Sequence, residues 1–284
     1  MKKRRILAVL AAMMTLFLCA GARAEGNWLE SVLSGNTPSQ EEEGGTVALL
    51  TLEGEISASD YWYDHVGTLE AIEALTEEEE NVALLLVLNT PGGGIYEADE
   101  LYHALLTYKE KTGRPVYAYM AQQCCSAGVL AAMAADTVLA ARMTVTGSIG
   151  VYTESYSEAG LYEKLGIEHI YIASGENKVS GYPEMTGEQL AIEEAIVAES
   201  FGYFKEAIAA SRGLTQEQME PFLDGRVLTA SQAKEMGLID DVLYYDEAVD
   251  WILARHEGAA LEDVTPGWEE DSYSSGGLFD WLSY

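Results

Sequence analysis

The sequence predicts an α/β domain built on a mostly parallel sheet with flanking helices. Two observations carry that prediction. Apolar runs of strand length recur at 46–52, 82–88 and 116–120, separated by segments with helical periodicity. The middle run, Val-Ala-Leu-Leu-Leu-Val-Leu, is apolar on both faces, as a central parallel strand is when helices cover both sides of its sheet.

In chain order, the strand at 46–52 is followed by a helical stretch near 68–74 and a charge run, Glu77 to Glu80, that reads as a solvated turn. After the strand at 82–88, a helix runs from Ile95 to about Lys111 with Leu101, Leu105 and Tyr108 on one face. Arg114-Pro115 punctuates it before the strand at 116–120. Residues 126–135 are small and predict a tightly packed helix. A fourth strand at 137–141, a glycine-bounded edge at 146–151 and a short strand at 169–173 come next. The longest helix spans Glu188 to about Ser211, with a shorter one near 216–222. This alternation implies right-handed crossovers between parallel strands.

Before the domain, Lys2, Lys3, Arg4 and Arg5 precede an apolar run, and Ala22-Arg23-Ala24 supplies small residues for cleavage. Residues 1–24 thus read as a signal peptide or, if retained, an N-terminal membrane anchor, with the bulk of the chain outside the cytoplasm. Residues 25–45 read as a linker, 46–256 as the folded domain and 257–284 as an acidic tail. The tail ends in an apolar group containing Leu278, Phe279, Trp281 and Leu282.

The 284 residues carry 16 Lys+Arg against 47 Asp+Glu, a formal charge of −31. Removing 1–24 takes five of the bases and none of the acids, leaving −36. So acidic a surface repels nucleic acid and anionic headgroups. Beyond Cys19 the only cysteines are Cys124 and Cys125; adjacent cysteines do not make a disulfide framework and read as small buried thiols. No His or Cys pair has metal-ligand spacing, so neither a metal nor another cofactor is implied.

The chemistry centres on Ser126, in the run Cys124-Cys125-Ser126-Ala127-Gly128. A serine hydroxyl needs a base to become a nucleophile. His65, His103, His169 and His256 are the histidines, and none follows a pattern that places it over Ser126. Lysine is an alternative base when desolvated. Lys178 lies in the loop Gly175-Glu176-Asn177-Lys178, where a lone lysine also reads as simply solvated. The turn Pro91-Gly92-Gly93-Gly94 can offer a backbone N–H to an oxyanion, and Ala127 can offer another from a helix N-terminus.

The motifs Leu88-Asn89-Thr90-Pro91-Gly92-Gly93-Gly94, Arg114-Pro115-Val116-Tyr117, Ser126-Ala127-Gly128 and Ala134-Ala135-Asp136 succeed one another in order. Thr146-Gly147-Ser148-Ile149-Gly150-Val151, Ser174-Gly175-Glu176-Asn177-Lys178, Asp224-Gly225-Arg226-Val227, Ala233 and Gly237-Leu238-Ile239-Asp240 complete the series. Over roughly residues 46–250 the chain resembles the Ser/Lys signal peptide peptidases, which share the fold of Clp protease and crotonase. The resemblance implies Ser126 as nucleophile, Lys178 as general base, Ser148 as the residue that orients the lysine, and the Gly93 and Ala127 N–H groups as oxyanion hole. It also implies extended apolar peptides as substrates, remnant signal peptides among them, and a homo-oligomeric ring in which neighbours share sites. One departure stands out: the family usually has Ser-Gly-Gly where this chain has Ser126-Ala127-Gly128. A methyl group at 127 suits a helical backbone and not a left-handed one. Two other classes stay open, a crotonase-like acyl-CoA enzyme and an inactive scaffold of a membrane complex.

Overall fold

Three long strands, β1 (Thr46–Glu53), β2 (Asn81–Thr90) and β3 (Val116–Cys125), form the parallel centre of one sheet in the computed structural model, which describes residues 44–266. Their apolar character on both faces has a direct cause. Leu50, Leu52, Leu84, Leu86 and Leu88 pack into one core, while Leu49, Leu85, Val87, Tyr117 and Tyr119 pack into a second on the opposite face. Helices α1 (His65–Glu77), α2 (Ile95–Thr112) and α3 (Ala127–Ala132) contribute to the first core through Ile72, Leu101, Leu105 and Val129. Burying one such side chain contributes about 1.5–3 kcal/mol.

The rest of the chain adds β4 (Thr137–Ala140), β5 (Val145–Gly147), α4 (Ala159–Leu165), α5 (Gly187–Arg212), α6 (Gln216–Met219) and a 3-10 turn at Glu220–Phe222. Beyond these come β6 (Val227–Thr229), α7 (Ala230–Glu235), β7 (Asp241–Val242), α8 (Tyr245–Leu253) and β8 (Ala260–Asp263). The α/β fold with a mostly parallel sheet is as the sequence predicts; among the described strands only the β5–β6 pair is antiparallel.

Several sequence motifs are structural joints. The Asp136 carboxylate accepts the Val116 N–H at 2.9 Å and Asp240 accepts the Val138 N–H at 2.7 Å, so each supplies a strand start with a partner. Arg114 Nη1 donates to Leu75 O at 3.0 Å and to Asn81 Oδ1 at 3.3 Å, tying the end of α1 to the start of β2.

Strand β3 reaches Cys125, five residues beyond the apolar run visible in the sequence. Its first half pairs with β4 and its last three residues with β5, so the sheet forks along one edge. The β2 register also breaks there: Leu88 faces Met120, but Thr90 faces Cys124. Two extra residues in β3 bend its end away from the sheet and re-aim the next residue, Ser126.

Two expectations need correction. Residues 169–173 form no strand, because no neighbouring strand lies within the described chain to pair with them; Ile170 and Ile172 are exposed. The sheet also takes in residues past 256, since β8 pairs in parallel with β1 from Thr46↔Ala260 to Leu49↔Asp263. The expected segment 1–24, nearly all of the linker and the apolar end of the tail lie outside the described residues. No helix among the described residues is long and apolar enough to cross a membrane.

Candidate active site

A cleft of about 680 Å3 opens where β2, β3 and β5 end. Its lining includes Gly92 and Gly93 after β2, Ser126 after β3, Ser148 and Ile149 after β5, and Phe201 from α5.

Ser126 is the junction between β3 and α3. Its backbone sits at φ 49° and ψ −117°, a region that a residue with a side chain occupies only at a cost of about 1–3 kcal/mol. The Ser126 N–H donates to Gly147 O at 2.8 Å, and its carbonyl accepts from Val129 N at 2.8 Å, so both neighbouring elements hold the strain in place. The side chain does not cap α3, and the hydroxyl makes no hydrogen bond among the described residues. It is therefore free to face the cleft.

The glycine turn is shaped by close approach. A Cβ on Gly92 (φ 115°) would lie 2.8 Å from Ser126 Cβ, and one on Gly93 (φ 156°) would lie 2.2 Å from Ile56 O. A strap formed by residues 54–57 pairs with this turn: Ile56 N donates to Gly92 O at 2.9 Å and Gly94 N donates to Ile56 O at 2.8 Å. Gly92 N donates to Thr90 Oγ1 at 3.1 Å. Of the three glycines, only Gly93 keeps an N–H with no acceptor among the described residues. Ala127 is the first residue of α3, a position whose N–H has no partner within the helix. Gly93, which lines the cleft, and Ala127, which follows Ser126, thus each keep a backbone N–H with no acceptor among the described residues.

The departure at Ala127 is resolved by its conformation. Ala127 is helical and buried, so its methyl group meets no backbone penalty. The next residue tolerates no such addition, since a Cβ on Gly128 would lie 2.5 Å from Thr90 Cγ2.

Ser148 shares the cleft with Ser126. Its backbone has φ 51°, and its N–H donates to Arg226 O at 2.7 Å, which accounts for the Asp224-Gly225-Arg226 motif. Lys178 is not brought to Ser126 within one chain. It is exposed in the loop before α5, does not line the cleft and makes no ion pair among the described residues.

The histidines are occupied elsewhere. His65 is buried, with Nδ1 2.9 Å from the Tyr63 hydroxyl and Nε2 3.0 Å from Glu100 Oε2. The His65 hydrogen bond holds the Glu100 carboxyl below the usual carboxylate range, and burial pushes the Tyr63 hydroxyl up. This relay joins the chain leaving the strap to α2, which begins at the glycine turn. His256 lies 3.1 Å from the Tyr117 hydroxyl, and partial burial lowers its pKa. His169 stacks edge-on against Tyr182, and His103 lines a separate surface groove between α1 and α2. Burial raises the Cys124 thiol well above the ordinary range, which leaves it a packing group. Among the described residues no cluster of His, Cys, Asp or Glu has the makings of a metal site.

A serine at a strained strand-to-helix elbow, with two open backbone N–H groups beside it, has the architecture of a serine hydrolase that works by acyl transfer. The chain belongs to peptidase family S49: the family's pattern matches residues 108–258, more than half of its length. That stretch contains Ser126, Ser148 and Lys178, while the glycine turn lies before it.

A Synechocystis protein, slr0021, provisionally named a protease, is 35% identical over 185 residues, covering 64% of this chain and 66% of the relative. An Enterococcus faecium protein provisionally named signal peptide peptidase SppA is 30% identical over 190 residues, 66% of this chain and 55% of the relative. The chain thus spans less than two thirds of the length of these relatives. Among solved structures, a mutant of the 1510-N membrane-bound stomatin-specific protease aligns with a TM-score of 0.51 at 14% identity. It covers 78% of this chain and 99% of that one, a likeness of fold.

Sequence reading singled out Ser126, Ser148 and the glycine turn, which the structure gathers around one cleft. It missed Glu55, which lines the cleft, and Phe201, which reaches it from α5. Both come from segments remote in sequence. For Glu55 the sequence offered one signal, a polar residue directly before the apolar Ile56.

Proposed function

We propose that this chain is an exported or membrane-anchored serine endopeptidase in which Ser126 attacks the peptide carbonyl and Lys178 takes its proton. Ser148 holds the lysine amine, and the N–H groups of Gly93 and Ala127 stabilise the oxyanion. Collapse of the tetrahedral intermediate expels the amine, protonated by the lysine, and leaves an acyl-Ser126 ester that water then cleaves. Substrates are extended apolar peptides, with remnant signal peptides as the class suggested by the name of the Enterococcus relative. The carrying observation is the Ser126 elbow, with its hydroxyl unengaged and two open N–H groups beside it.

A lysine accepts a proton near neutrality only where burial disfavours its ammonium. Lys178 is exposed in the single chain, so this reading requires a second copy to cover it. Supporting that, α4 has no buried residue, and Leu161, Ile170, Ile172, Leu190 and Ile196 expose apolar surface in the same region. Such surface marks an interaction site. A closed ring would bury it and place Lys178 of one copy at Ser126 of the next.

Mixing two inactive variants tests the whole scheme. Ser126→Ala and Lys178→Ala are each expected to be inactive on an apolar fluorogenic peptide. Rings mixed from equal amounts regain about one site in four if neighbours share sites at random. Activity of either variant alone removes the dyad, and no recovery in demonstrably mixed rings removes the shared site. The crotonase-type alternative has no observation in its favour.

A further inference from the structure

We propose that Glu55 forms a subsite for a cationic side chain of the peptide, so that the cleft selects apolar peptides carrying a lysine or arginine near the bond that is cut. This rests on the peptidase reading above and adds which peptides the cleft takes.

Glu55 lies on the strap just past β1, and three backbone hydrogen bonds place that strap. Gly54 N donates to Asn89 O at 3.1 Å, Ile56 N to Gly92 O at 2.9 Å and Gly94 N to Ile56 O at 2.8 Å. The Ile56 side chain is fully buried, so the preceding residue of this extended segment turns the other way, and Glu55 lines the cleft. The distance to the nucleophile is short in residues: Ile56 bonds Gly92, and Gly92 packs against Ser126.

The charges of the cleft are unbalanced. Within one chain its lining contains two carboxylates, Glu55 and Asp224, and no lysine, arginine or histidine; the Lys178 that the peptidase reading brings from a neighbour is engaged at Ser126 and Ser148 as a neutral amine and leaves Glu55 uncompensated. Asp224 is already compensated: Arg226 Nε donates to its two oxygens at 2.8 and 2.9 Å, and this bonding lowers its pKa to about 2. The Glu55 carboxylate makes no hydrogen bond or ion pair among the described residues. An apolar peptide seated in the cleft would strip water from that carboxylate without repayment, a cost that an ammonium or guanidinium on the peptide offsets. A peptide carboxylate at the same place would be repelled, so selection works in both directions.

Binding to full-length Ser126→Ala protein isolates the subsite from catalysis. Apolar peptides identical except for Lys, Gln or Glu at one position, with that position walked along the sequence, are titrated by fluorescence anisotropy. At one position the lysine peptide is expected to bind about two- to fivefold tighter than the glutamine peptide, the range of an exposed ion pair. Adding Glu55→Gln abolishes the preference, and adding Glu55→Lys transfers it to the glutamate peptide. Equal binding at every position, no binding of any peptide, or a lysine preference that survives Glu55→Gln overturns the subsite. Hydrolysis of the same peptides by the wild-type chain reads the peptidase function separately. Charge-selective binding without cleavage keeps the subsite and removes the peptidase; cleavage without charge preference does the reverse.

Discussion

Replacing Ser126 by glycine is expected to leave a more stable protein than replacing it by alanine, although both changes remove the hydroxyl. The reason lies in the backbone at φ 49° and ψ −117°, which glycine adopts freely and alanine does not. Relief of that conformation is worth about 1–3 kcal/mol. Glycine returns about 0.4–1 kcal/mol of this through the greater freedom of its unfolded chain. The net advantage over alanine is therefore about 0.5–2 kcal/mol, and each kcal/mol moves the melting temperature of a chain this size by about 2–4 °C. Ser126 Oγ makes no hydrogen bond among the described residues, so its loss adds nothing that differs between the variants. Thermal and urea unfolding of the two proteins, measured side by side, give the comparison. Labelling by a serine-reactive acylating probe confirms that both have lost the nucleophile. If Ser126→Gly unfolds at or below the temperature of Ser126→Ala, the backbone at 126 stores no strain and the elbow argument fails.

The same geometry sets three other outcomes. Ala127→Gly restores the family's sequence at a helical position, so peptide turnover should stay within about twofold while stability falls by about 0.5–1 kcal/mol; a large gain in turnover would show that the Ala127 methyl group obstructs the oxyanion hole. His65→Leu strands the buried Tyr63 hydroxyl and should cost about 1–3 kcal/mol in urea unfolding, with His65→Gln losing less; equal losses would mean that the relay contributes only packing. Partial burial lowers the His256 pKa, so the unfolded chain binds this proton more readily than the folded one. Stability should fall as pH drops from the ordinary histidine value toward the lowered one, and His256→Gln should flatten that part of the curve. An unchanged curve assigns the slope to other groups.

Much of the fold was legible because each central strand is buried on both sides. Val82 to Leu88 needs no alternation when helices cover both faces, and its uninterrupted apolar run says so. The end of β3 was not legible. Gln122 and Gln123 are polar and exposed, yet their backbone continues the strand because β5 offers a partner. Residues 169–173 failed in the opposite sense: alternating apolar side chains mark a strand only when another edge is present to pair with. β8 was hidden in an acidic stretch because an edge strand of four residues needs little apolar surface.

The site divides along the same line. Residue type alone identified Ser126, the glycine turn and the small residues that let them meet, since only glycine fits where Gly92 touches Ser126 or Gly128 touches Thr90. Tertiary structure decided which glycine keeps an open N–H, because that depends on Ile56 and Thr90 occupying the other two. It also showed that Ala127 is helical, so its methyl group meets no backbone penalty, and that the Glu55 carboxylate has no partner among the described residues. Those are properties of neighbours rather than of residues. A hydrogen bond or a charge in a cleft is defined by what stands opposite it, and the chain order does not contain that information.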